Sequence, residues 1–132
     1  EAAAAAAKAA GARGVIPLKV SGAFHSPLME PLAEEFWAHL AAVRMADAAV
    51  PVYCNIDAAP HTAAEELRDC ARRQLTGSVR WQAIIERMVA DGIRVFVEVG
   101  PKDVLSKMVP RIAADARAVA LGTWDSIRSA SL

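Results

Sequence analysis

The sequence predicts an α/β fold with a mainly parallel sheet. Three observations carry that reading. Segments with strand character alternate with amphipathic helical segments along the 132 residues. The connections are short, with no internal repeat or long linker between them. Ile93 to Val99 is nearly continuous in apolar residues, as in a strand covered on both faces.

The elements follow in order. Residues 1–10 are almost pure helix formers, and Gly11 stands where a helix stop is expected. The segment reads as the tail of a helix that begins elsewhere, and it lacks the basic start and cleavage pattern of a secretory leader. Val15 to Val20 reads as a short strand entered at Pro17. Leu28, Leu32, Phe36 and Leu40 recur every four residues and mark an amphipathic helix running to about Val43. Its start has two readings: Ser26 caps it with Pro27 in the first turn, or the regular helix begins at Pro31.

Val50 to Asn55 reads as a strand and Asp57 to His61 as a loop. Thr62-Ala63-Ala64-Glu65 has capping-box spacing and opens a helix through Leu75. Ser78 is placed to cap a helix whose face carries Trp81, Ile84, Ile85, Met88 and Val89. After the strand ending at Val99, Gly100-Pro101 turns into a helix with Val104, Leu105, Met108 and Ile112 on one side, disturbed by Pro110. Ala116 to Leu121 reads as a last strand, and Thr123 caps a short final helix.

Composition narrows the function. Fifteen basic residues balance fifteen acidic ones with no block of like charge, so nucleic acid and anionic membrane are not expected partners. No apolar run approaches the roughly 20 residues that span a bilayer, and a cytoplasmic location is expected. Hydrophobic residues make up 55% but aromatics only 5%, because much of the excess is alanine. Alanine builds helix without filling a core, so the chain is expected to rely on surface that a missing segment covers. Cys54 and Cys70 are read as reduced thiols. No metal site is expected, because CxxC, HxxxH and HExxH are all absent. No glycine-rich phosphate loop is present, and no cofactor is expected.

Among the three histidines, His39 and His61 read as solvated surface residues. His25 stands where a strand ends and a helix begins, which is where open α/β sheets place ligands. An α/β enzyme that uses serine sets it in a G-x-S-x-G elbow, and this sequence has none.

Four blocks carry a family resemblance. Val20-Ser21-Gly22-Ala23-Phe24-His25-Ser26-Pro27-Leu28-Met29 resembles the histidine motif of the malonyl-CoA:acyl-carrier-protein transacylases. Pro51 to Asp57, Arg73-Gln74-Leu75 with Val79-Arg80-Trp81, and Glu98-Val99-Gly100-Pro101 with Val104-Leu105 are similar to further family blocks. They occur in family order with family spacing, from about Gly11 to Leu121. Lys102-Asp103 departs from the glycine and basic residue that many members carry.

The resemblance implies the C-terminal part of a three-layer, α/β-hydrolase-like acyltransferase core over residues 12–132. Residues 1–11 would be the last helix of a ferredoxin-like inserted subdomain. It implies malonyl transfer from coenzyme A to the phosphopantetheine thiol of acyl carrier protein, through a malonyl-serine intermediate, in fatty acid biosynthesis. His25 corresponds to the general base, and the backbone carbonyl of Gln74 to the group that orients it. Phe24 corresponds to a selectivity position disfavouring an α-methyl group. The serine, the oxyanion-hole loop and the carboxylate-binding arginine belong to the missing N-terminal part, so the chain alone is expected to be inactive. Two other origins stay open: an acyltransferase domain of a polyketide or fatty acid synthase, and a non-catalytic module that binds carrier protein.

Overall fold

Alanine has the highest helix propensity, and the alanine run forms α1 (Ala2–Ala9) in the computed structural model. Gly11 follows in the left-handed region at φ 89°, which ends the helix. The structure describes residues 1–17 and 20–130. Of the strand expected over Val15 to Val20, residues 15–17 and 20 carry no regular structure. Leu18 and Lys19 lie outside the described residues.

The start of the amphipathic helix combines both readings. Pro27–Leu32 is a 3-10 helix, and α2 (Ala33–Ala42) begins only after Pro31. Proline at 31 has no N–H and clashes with the preceding turn, so regular α-helix starts beyond it. Ser26 precedes the 3-10 helix but does not cap it, since its hydroxyl donates to the Ala23 carbonyl at 2.6 Å.

Two expected caps are overturned. α3 spans Ala64–Gln74, and its N-cap Ala63 has no capping side chain. Asp47, from a distant loop, accepts from the Ala64 N–H at 2.9 Å and does the work assigned to Thr62. α4 (Trp81–Ala90) starts three residues beyond Ser78, with Arg80 at its N-cap. The final helix α6 (Trp124–Ser129) does carry its cap, a reciprocal box between Thr123 and Ser126.

The strands form two small sheets among the described residues. β1 (Val52–Tyr53) and β2 (Pro60–His61) are antiparallel, so residues 57–59 keep the expected loop and only Pro60-His61 becomes the return arm of a hairpin. β3 (Val95–Val99) runs parallel to β4 (Arg117–Leu121), in register from Val95 opposite Arg117 to Val99 opposite Leu121. Their crossover passes through α5 (Val109–Ile112), much shorter than the helix expected there, with Pro110 in its first turn. The core gathers around Ile85, Val109 and Ala116, flanked by Trp81, Val89, Phe96 and Ile112.

The two-sided covering expected of the Ile93–Val99 strand is absent here. Phe96 turns toward the core, while Val95, Val97 and Val99 remain 44%, 39% and 77% exposed. The stripe of Leu28, Leu32 and Phe36 is also open. No helix among the described residues is long and apolar enough to cross a membrane.

At the end of β3, Glu98 ties the turn after Gly100-Pro101 to the sheet. Its carboxylate accepts from the backbone N–H groups of Ser106 at 2.7 Å and Leu105 at 3.2 Å. The Ser106 N–H chiefly holds this carboxyl below its usual range. A depressed carboxyl contributes stability above its unfolded pKa and loses it as pH falls through the folded one. Glu98→Gln should therefore lower the melting temperature at pH 7. The gap from the parent should shrink in thermal scans well below the ordinary glutamate value of about 4.3. A gap that stays constant with pH would remove this role.

Candidate functional site

The loop before the 3-10 helix presents His25 to solvent, with its backbone at φ 62°. A non-glycine residue in the left-handed region is uncommon and needs its surroundings to hold it. Two bonds from the end of α3 do so. The His25 backbone N–H donates to the Leu75 carbonyl at 3.1 Å, and ring Nδ1 lies 2.9 Å from the Gln74 carbonyl oxygen.

That second contact fixes the ring chemically. A carbonyl oxygen only accepts, so Nδ1 carries the proton, and in the neutral ring Nε2 keeps its lone pair. The Gln74 amide nitrogen also lies 3.3 Å from Nδ1, but it donates to the Gly77 carbonyl at 2.8 Å. The backbone carbonyl is therefore the partner that orients the ring. Gly77 closes the turn, with its own N–H donating to the Arg73 carbonyl at 3.0 Å.

Phe24 is 57% exposed and stands beside His25. With Met29, Leu32, Phe36 and Leu75 it lines an open groove of about 330 Å³ that also takes in Glu35 and His39. The structure thus brings His25, Gln74 and Phe24 to one region, although His25 and Gln74 lie 49 residues apart.

His61 departs from its expected place. Its side chain is only 19% exposed and lies between Asp57, 3.1 Å from Nε2, and Glu66, 3.3 Å from Nδ1. Cys70 is buried beside it, and burial pushes its thiol up to about 12, helped by Cys54 and Asp57. The sequence spacing of Cys54, His61 and Cys70 gives no sign of a cluster, because the β1–β2 hairpin that folds them together has arms too short to leave a strand pattern.

No protein-family model matches the chain. The malonyl CoA-acyl carrier protein transacylase of Bacillus subtilis is 37% identical over 124 residues, covering 94% of this chain and 39% of that protein. The crystal structure of a malonyl-CoA:ACP transacylase from Synechocystis is matched with a TM-score of 0.86 at 37% identity, over 90% of this chain and 41% of that one. A malonyl-transacylase solved in complex with its type II polyketide synthase acyl-carrier protein gives a TM-score of 0.91 at 33% identity, over 96% of this chain and 41% of that one.

The mixed α/β fold and these likenesses match the chain to one part of the solved transacylases. The chain is homologous to a part of the malonyl-CoA:acyl-carrier-protein transacylase family. It spans about two fifths of the length of the curated relatives it matches, 39% for the Bacillus subtilis protein.

Proposed function

We propose that this chain supplies the general-base histidine of a malonyl-CoA:acyl-carrier-protein transacylase whose serine lies on another part of the enzyme. The observation that carries the reading is the 2.9 Å contact between His25 Nδ1 and the Gln74 carbonyl. It leaves Nε2 as a proton acceptor without a carboxylate in the triad.

His25 Nε2 takes the serine hydroxyl proton as the serine oxygen attacks the malonyl thioester carbonyl. The carbon–sulfur bond breaks, and the coenzyme A sulfur leaves with the proton returned by His25. In the second half, Nε2 takes the proton of the carrier-protein thiol as that sulfur attacks the malonyl ester. The ester bond breaks, and His25 returns the proton to the serine oxygen. Splitting the transfer in two is nucleophilic catalysis, and a well-placed base contributes about 10²–10⁴ in rate.

Phe24, the residue before His25, forms a wall of the groove, and its bulk disfavours a methylmalonyl group. One excluded methyl is worth about 1–3 kcal/mol. Residues 1–11 form the last helix of an inserted subdomain, and residues 12–132 complete a three-layer core. Two features support a larger whole: the 39% coverage of the Bacillus subtilis relative, and the open apolar faces of β3 and the 3-10 helix. The partners are malonyl-CoA, an acyl carrier protein and the N-terminal part of the enzyme. The solved complex of a similar transacylase with its type II polyketide synthase carrier protein keeps a polyketide origin open beside fatty acid biosynthesis.

The purified 132-residue chain should show no malonyl transfer, because it brings neither serine elbow nor oxyanion donors. A chimaera in which the chain replaces the matched part of the Bacillus subtilis relative should transfer malonyl to carrier protein. Turnover by the isolated chain, or a folded chimaera without activity, would contradict the proposal.

A further inference from the structure

The turn between β1 and β2 is tightly fixed. Cys54 N–H donates to the Ala59 carbonyl at 3.0 Å, and Ala58 N–H returns a bond to the Cys54 carbonyl at 2.9 Å. Asp57 accepts from the Ala59 N–H at 3.1 Å, and Ala58 takes a left-handed backbone at φ 60°. One short hairpin thereby turns Cys54, Asp57 and His61 toward Cys70, which is 4% exposed on α3.

Three of these side chains converge, and Asp57 stands beside two of them. One ligand atom each from Cys54, His61 and Cys70 all lie within 4.8 Å of one another. The Asp57 carboxylate oxygen is 3.1 Å from His61 Nε2 and 3.6 Å from Cys70 Sγ. Zinc bonds of about 2.3 Å to sulfur and about 2.0–2.2 Å to nitrogen and oxygen put tetrahedral ligand atoms roughly 3.3–3.8 Å apart. The two Asp57 distances already fall near those edges, Cys54, His61 and Cys70 need close by up to about an ångström, and Asp57, outside their 4.8 Å group, must swing toward Cys54 to complete the shell.

We propose that Cys54, Asp57, His61 and Cys70 form a tetrahedral site for a zinc ion. Two thiolates and an imidazole select zinc over calcium or magnesium, which take all-oxygen shells. His61 binds through Nε2, and its other nitrogen, 3.3 Å from a Glu66 carboxylate oxygen, donates to it. That carboxylate–histidine–metal relay orients ligating histidines in general. Two sulfur–zinc bonds form, the two S–H bonds break, and both protons pass to solvent. Asp57 and His61 contribute existing lone pairs. The ion joins the hairpin to α3 four residues before Gln74, and the proposal stands whether or not His25 is a catalytic base.

Cobalt(II), which shares zinc's tetrahedral preference and has visible d–d bands, is the probe. Titrating the reduced full chain should give thiolate-to-cobalt charge-transfer bands that saturate at one ion per chain and vanish when zinc is added. Cys54→Ser and Cys70→Ser should lose those bands. Glu66→Gln should keep them with affinity lowered about 10- to 100-fold. Should a serine variant not fold, the parent chain still decides the matter, because zinc should protect both cysteines from alkylation, mapped by peptide mass. Absent bands, bands unchanged in the serine variants, or equal alkylation with and without zinc would overturn the site. So would a Cys54–Cys70 disulfide that persists in reductant and leaves the protein indifferent to metal.

Discussion

Replacing His25 with alanine in the chimaera should lower kcat by about three orders of magnitude while the fold is retained. The ring is exposed and belongs to no core cluster, so little packing is lost. What disappears is the acceptor for the serine proton and, half a cycle later, for the carrier thiol. General-base catalysis of this kind contributes about 10²–10⁴, and removing a member of a serine–histidine pair disables the pair as a unit. The loss should fall on both half-reactions. Stopped-flow release of coenzyme A measures the first, and transfer to carrier protein the second. A variant that forms the malonyl-enzyme at the parental rate would show that another group takes the proton.

Gly77→Ala should have the second largest effect, and it acts at a distance. An added Cβ would stand 2.1 Å from Ile56 Cδ1 and 2.9 Å from the Arg73 carbonyl oxygen. The isoleucine tip can rotate aside. The Arg73 carbonyl cannot, because it is backbone in the last turn of α3 and already receives the Gly77 N–H. The turn must therefore shift. Overpacking of this sort costs about 1–3 kcal/mol, readable as a lower midpoint in urea unfolding. The same turn carries the Gln74 carbonyl that orients His25 and the Gly77 carbonyl that holds the Gln74 amide. A displacement near 1 Å at a catalytic group costs on the order of a hundredfold. The variant in the chimaera should thus lose activity beyond what its unfolded fraction explains. Parental activity per folded molecule would break this link from turn to ring.

The alternation of helix and strand from α4 to α6, the stop at Gly11 and the cap at Thr123 are legible in the sequence because each is a local preference. Other features are decided from far along the chain. Thr62 and Ser78 have the right chemistry for caps, but Asp47 reaches the start of α3 from 17 residues away, and α4 begins late. Val95, Val97 and Val99 read as a covered strand, yet their face is open, since apolar sequence records what a strand is built to bury and not what covers it. The contact between His25 and the Gln74 carbonyl has no local signal at all. Position along the chain marks His25 as a candidate, only the family resemblance points to Gln74, and the catalytic roles of both rest on the proposal. The grouping of Cys54, Asp57, His61 and Cys70 was invisible for a similar reason, because it depends on a hairpin with arms only two residues long.

The most direct test of the histidine's role is the tautomer of its ring. Nitrogen-15 NMR of the labelled chain, at a pH where the ring is neutral, distinguishes a protonated ring nitrogen from one with a lone pair. His25 should show Nδ1 protonated and Nε2 bare, and Gly77→Ala should blur that preference. A neutral ring carrying its proton on Nε2 would leave nothing to accept a hydroxyl proton there, and the assignment of His25 as the base would fail.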